Sequence, residues 1–498
     1  MSPARHRIGR LFLVLAAVLA PAPAALAQGT LQVVSHTPAK NALGVAPTST
    51  VSVTFDRPVD AASFAGPGFR VYGKWSGPKA GPFILSNLDR TVTLTPGVPF
   101  SSGELVTVNL SRNLRAADGS FLRSAGYAFQ FMVRTQARGL GLLSHGVLQV
   151  RDVPTVSTRA YGGSASDFNE DGRLDLGIVN EDTGDLRLFL NQGGGQFGPL
   201  VQPPTPIGLG TSPNEPGDYD NDGHADLAAT QYSINRFSVV LGNGNATFGP
   251  PQTQTVPSVP AGLAVLDVDG DADWDAVTAS VGGNTLALLL NNAGVFGAPA
   301  SFEGGGNGEY GVAAGDMNGD GILDLVVGTQ LDSSVRVRLG NGNGTFSPAG
   351  SAGAGGAVWM VALGDLNGDG WLDVTTANGG TGNGATLLGN GDGTLQAAVT
   401  RTCGGSCVAT DLGDLDGDGD LDWILSSYGA AQFRLLTNAG GIFTLDRTLP
   451  APAAGSCAVP FDFDEDGDLD LALIDELADQ VLLWRNVGRD LVFGNGFQ

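Results

Sequence analysis

One eleven-residue stretch, repeated seven times at a nearly constant interval, restricts this chain to very few folds. In its clearest copy, Gly315-Asp316-Met317-Asn318-Gly319-Asp320-Gly321-Ile322-Leu323-Asp324-Leu325, oxygen side chains stand at positions 1, 3, 5 and 9 counted from Asp316. A glycine occupies position 6, and an apolar run follows. First aspartates at Asp167, Asp218, Asp267, Asp316, Asp365, Asp414 and Asp462 give intervals of 51, 49, 49, 49, 49 and 48 residues. A period of that size fits one four-stranded β-propeller blade, whereas a calcium-binding parallel β-helix repeats at about nine residues. An EF-hand places its last acid at position 12 between two helices. Here the acid stands at 9 and the flanks are short, β-rich and broken by glycine.

Oxygen donors without His or Cys point to a hard cation, calcium before zinc or a redox metal. The candidate ligands are Asp167, Asn169, Asp171 and Asp175; Asp218, Asp220, Asp222 and Asp226; Asp267, Asp269, Asp271 and Asp275; and Asp316, Asn318, Asp320 and Asp324. The last three loops add Asp365, Asn367, Asp369 and Asp373; Asp414, Asp416, Asp418 and Asp422; and Asp462, Asp464, Asp466 and Asp470. Up to seven Ca²⁺ are therefore expected. Six loops carry glycine at position 6, but the third has Ala272, which predicts the weakest site, because a left-handed residue with a Cβ costs about 1 kcal/mol.

Within one repeat an apolar strand (Gly311-Val312-Ala313-Ala314) leads into the loop, and a second (Leu325-Val326-Val327) leaves it. An alternating strand, Val335-Arg336-Val337-Arg338-Leu339, then reaches the turn Gly340-Asn341-Gly342-Asn343-Gly344 and a closing Phe346. The two inner strands are expected to be buried on both faces, and Asn-Gly suits a tight hairpin. The closing aromatic recurs at Phe197, Phe248, Phe296, Phe443 and Phe493, with Leu395 in the fifth repeat. This combination of a loop repeated seven times and a closing Phe, followed by Gly in four repeats, resembles the FG-GAP/VCBS-repeat β-propellers typified by the integrin α-subunit head. The resemblance implies a seven-bladed propeller over residues 159–498, calcium in the hairpin loops, and adhesion or glycan recognition as a frequent role. Residues 137–158 form a junction. The last outer strand is either short or supplied by residues 142–153, and we expect the second.

Residues 28–136 lack the loop and show short alternating runs, such as Val51-Ser52-Val53-Thr54-Phe55, between Pro and Gly turns, the pattern of a β-sandwich. The order His36-Thr37-Pro38, Thr54-Phe55-Asp56-Arg57-Pro58-Val59-Asp60, Ala117-Asp118-Gly119 and Phe129-Gln130-Phe131 resembles the SbsA-type bacterial Ig-like domain. What it implies is a spacer or adhesive module of exported proteins. The fold class is thus all-β, a propeller preceded by a sandwich. Residues 1–27 read as a secretory signal peptide, with Arg5, Arg7 and Arg10, the apolar run Leu11 to Ala20, and Ala25-Leu26-Ala27. Its removal takes the formal charge from −24 to −27 by subtracting those three arginines. Such acidity disfavours nucleic acid and anionic membranes as partners, although Asp at 25 of the 28 loop positions already accounts for most of it. A secreted or cell-surface monomer with no membrane span after leader removal is expected.

Cys403 and Cys407 are expected to form a disulfide, with Cys407 to Cys457 as the rival pairing. His224, at position 7 of the second loop, is read as exposed and inert. No nucleophile motif is present. Strand direction puts the metal loops and Asn-Gly turns on one face. The other face holds aromatics outside the repeat consensus: Tyr161, Tyr310 and Trp359 just before innermost strands, and Tyr232 and Tyr428 in second-to-third connections. That face is expected to take a glycan or a surface protein. The rivals are a polysaccharide lyase or hydrolase on this scaffold and a structural surface-layer component.

Overall fold

Strand and turn chemistry give seven four-stranded antiparallel sheets in the computed structural model, which describes residues 29–64, 66, 68–200 and 205–488. The leader and Phe493 lie outside these residues. In the fourth sheet the strands are Glu309–Gly315, Asp324–Thr329, Ser334–Gly340 and Phe346–Gly353, in chain order from the centre outward. The innermost strands pack side by side around a ring, the first against the last. These sheets are called blades one to seven below. Every residue of the second strands is buried, as expected for strands sandwiched between neighbouring blades. The first strands depart from expectation. Residues such as Ala313 and Ala314 are only half-buried, because one side lines an axial chamber.

Ring closure uses the segment ahead of the propeller. Leu142–Gln149 pairs antiparallel with Gln480–Asn486 and supplies the outer strand of blade seven, so sheet hydrogen bonds tie the two ends of the repeat array. Blades are also stapled to one another. The carbonyl of loop position 2 in one blade accepts a hydrogen bond from the third-to-fourth turn of the next. Where that turn opens with asparagine the side chain donates, as from Asn291 Nδ2 to Tyr219 O (2.7 Å) and Asn438 Nδ2 to Leu366 O (2.8 Å). Where it opens with glycine, a backbone amide of the Gly-Asn-Gly turn donates instead, as from Gly344 to Val268 O (2.9 Å). The closing aromatic packs across the same seam, Phe296 on Tyr219 and Phe248 on Phe168.

The N-terminal module is a sandwich of two four-stranded sheets. Its core is the inward set Val51, Val53, Phe55, Val106, Val108, Phe129 and Phe131. The module lies on the metal-loop face: Asn41 Nδ2, Arg123 Nη2 and the Gln136 amide donate to the carbonyls of Gly370, Gly321 and Gly467 in loops five, four and seven. Its hairpin tip Lys74-Trp75-Ser76, held by Glu104, enters the axial opening, where Trp75 joins the propeller core.

Asn291→Ala removes the donor from two buried carbonyls, Tyr219 O and Trp274 O, in different blades. It is expected to lower stability by about 2 to 3 kcal/mol, measured by urea unfolding of the calcium-loaded chain.

Candidate functional site

Each metal loop is wound around its own carboxylates. Asp316 at position 1 accepts the amides of Gly319, Asp320 and Gly321, and position 5 accepts that of position 7. Position 9 carries a second duty that sequence reasoning missed. In all seven loops one of its oxygens accepts the position-2 amide, and the other accepts the amide at the end of the third strand, sixteen residues on. Asp324 takes these from Met317 (2.8 Å) and Gly340 (2.8 Å). Even so, among the described residues oxygens from positions 1, 3 and 9 lie within 4.8 Å of one another in loops two, six and seven, and from positions 1, 3 and 5 in loop three. In loops one, four and five the position-3 side chains are Asn169, Asn318 and Asn367, whose amides bond the carboxylate at position 5.

The donor set fits a cation. Asp218 Oδ1 and Asp414 Oδ1 are buried without a hydrogen-bond partner, each facing further carboxylates. Burial, aided by like charge, pushes Asp175 and Asp226 up to about 7, Asp324 and Asp422 to about 8 and Asp470 to about 9. The backbone amides bonded to these carboxylates only partly oppose that shift. Ala272 has φ +74°, the conformation its glycine counterparts adopt. His224 is not inert: its Nδ1 bonds Glu170 of loop one, which raises the imidazole above its ordinary value, and so joins two loops. Cys403 and Cys407 are disulfide-bonded, and Cys457 is a free thiol that burial pushes up to about 12.

On the opposite face the singled-out aromatics meet at the axis. Every innermost strand has a register shift near its start, where one or two residues go unpaired. Tyr161, Tyr310 and Trp359 are such residues. Tyr310 and Trp359 stack with centroids 5.2 Å apart and planes at 17°. Tyr232 and Tyr428 arrive from second-to-third connections and meet groups the sequence reading overlooked: Tyr232 Oη donates to Glu181 (3.1 Å), and Tyr428 reaches Arg159 and Glu476. Between this layer and the sandwich lies the axial chamber, about 380 Å³, containing the pair Lys74 and Glu215 (3.4 Å) beside Asp411.

The FG-GAP-like repeat family matches residues 167–229, 218–278, 267–327, 316–376, 365–425 and 414–473, and the chain belongs to that family. Residues 27–133 match the bacterial Ig-like domain. No curated protein matches the chain. Among solved structures it is similar to an Agrocybe aegerita lectin whose description is specific recognition of non-reducing terminal N-acetylglucosamine; identity is 20%, coverage 65% of this chain and 87% of that one, and TM-score 0.44. A functionally unknown Desulfotomaculum acetoxidans protein is 12% identical, covering 64% and 95%, with TM-score 0.38. A Lactobacillus plantarum protein is 13% identical, covering 57% and 84%, with TM-score 0.44.

Two outcomes test the loops. The position-9 carboxylates titrate higher when folded than when unfolded, so without metal their contribution to stability is full below about pH 4 and is lost as pH rises through about 7 to 9. In chelator the melting temperature is therefore expected to fall between about pH 5 and pH 8, and with calcium that fall should disappear. Ala272→Gly is expected to stabilise the calcium-loaded chain by up to about 1 kcal/mol and to tighten calcium at loop three, read by urea unfolding and calorimetry.

Proposed function

We propose that this chain is a secreted, calcium-binding recognition or adhesion module, whose ligand docks on the propeller face away from the metal loops. The observation that carries the reading is the division of labour between faces. The sandwich covers the loop face, while the aromatics outside the repeat consensus converge at the axis of the other. Binding residues on connections held by a rigid scaffold are the usual arrangement, and aromatic faces suit both sugar rings and protein side chains.

The loop carboxylates would hold up to seven Ca²⁺. A bound ion supplies positive charge that offsets the repulsion among carboxylates and fixes loop shape; the chain's own amides already pre-wind the loops around positions 1, 3 and 5. Export is supported by the leader pattern and by the Cys403–Cys407 disulfide, a bond favoured in oxidising compartments. Among the described residues no helix is long and apolar enough to cross a membrane.

At calcium about tenfold above Kd each site adds roughly 1.4 kcal/mol, and seven add roughly 10. Chelation is therefore expected to lower the melting temperature by more than about ten degrees, with metal analysis finding more than about three calcium ions per chain. Alanine at Tyr232, Tyr310 and Tyr428 together is expected to abolish binding on glycan and protein arrays while the calcium-dependent melt persists. Binding that survives this change and is lost on altering the loop face would overturn the reading.

A further inference from the structure

The far face is not symmetric, and its asymmetry selects the kind of ligand. In each blade the residue just after the second strand donates its amide to the residue ahead of the innermost strand, as Glu181 does to Arg159 O (3.0 Å) and Glu476 to Ala454 O (3.0 Å). That bond fixes one equivalent ring position per blade. In the consecutive blades six, seven, one and two it is filled by Tyr428, Glu476, Glu181 and Tyr232, and the other three blades carry neither an acid nor an aromatic there.

Arg159 lies between the two glutamates. Its Nε bonds Glu476 Oε1 (3.1 Å), its Nη2 grips the same oxygen, and its Nη1 lies 3.4 Å from Glu181 Oε2. Arg159 has φ +49° at a position where Gly210, Val259 and Gly308 of blades two, three and four also take positive φ, and it is the one charged residue among the seven that fill it.

Two carboxylates face one guanidinium, so the arc is one positive charge short. The looser partner is Glu181, which burial and then Glu476 push up to about 7. Around the arc stand exposed aliphatic side chains on connections of these same blades: Leu477 (47% exposed) after Glu476, Leu209 (53%) and Ile234 (38%) beside Tyr232, and Val156 (44%) ahead of Arg159. Sugar hydroxyls laid against such side chains would lose hydrogen bonds to water, whereas apolar protein side chains would not.

Resting on the reading that this face is the binding face, we propose that blades six, seven, one and two dock a polypeptide presenting a lysine or arginine from among apolar residues. The cation sits beside Glu181, and its apolar neighbours lie on Leu477, Leu209 and Ile234. Charge complementarity supplies specificity and the aliphatic rim supplies area.

The test uses the calcium-loaded full chain, fluorescently labelled, on immobilised peptides with lysine, norleucine or glutamate between leucines, and in parallel on a glycan array. Retention by lysine peptides is expected to exceed that by norleucine peptides about tenfold, and glutamate peptides should not be retained. Glu181→Gln, which keeps an acceptor for Tyr232, should remove that preference. Leu477→Ser and Ile234→Ser, both exposed and outside the core, should weaken retention of lysine peptides. Equal retention of lysine and norleucine peptides, a preference that survives Glu181→Gln, or no peptide retained would overturn the proposal. Glycan binding lost on changing the three tyrosines, without peptide retention, would keep this as the binding face and overturn the polypeptide as its occupant.

Discussion

A buried carboxylate at position 9 of each repeat is the interaction on which the propeller depends. Asp324 and its six counterparts have almost no solvent exposure, and each joins three pieces of one blade: the entry to the metal loop, the start of the second strand and the end of the third. An ionised carboxylate removed from water needs nearly all of its lone-pair capacity filled, and two backbone amides fill half of it. A cation can take much of the rest. In loops two, six and seven the same residue is therefore both a structural clasp and one of three carboxylates placed closely enough to hold a cation.

Such short-range chemistry is why the propeller was legible in the sequence. Loop, second strand and closing aromatic all lie within one repeat, and seven copies separate signal from noise. The closing strand at Leu142–Gln149 followed from what blade seven lacked. The staples between blades were legible only in part. Asparagine and glycine alternate at one position of the third-to-fourth turn, and only three-dimensional placement shows both choices to be ways of reaching the same neighbouring carbonyl.

The central cluster on the far face was half legible. Tyr232 and Tyr428 were noticed because aromatics are conspicuous. Glu181 and Glu476 stand at the same offset, fourteen residues beyond the first loop aspartate of their repeats, and were passed over among many acids. Reading the repeats as columns would have found all four. Arg159 would have emerged the same way, as the one charged residue in a column holding Gly210 and Gly308. The docking of the sandwich had no such signal. Lys40 and Asp316, or Thr135 and Asp414, are separated by more than 270 residues and follow no repeat.

That docking changes what the sandwich is. Its hydrogen bonds go to carbonyls at Gly321, Gly370 and Gly467, the sharp-turn residues of their loops, which point outward only while the loop is wound. Lys40 and Thr135 reach position-1 carboxylates themselves, Asp316 and Asp414. A loop that loses its shape therefore loses its contact with the sandwich, and a sandwich that lifts away uncovers the loops and withdraws Trp75 from the axis. Two groups of interactions that each require the other are thermodynamically linked. The sandwich consequently belongs to the cooperative unit that these loops define, and any change of loop shape reaches both modules through the same few turns.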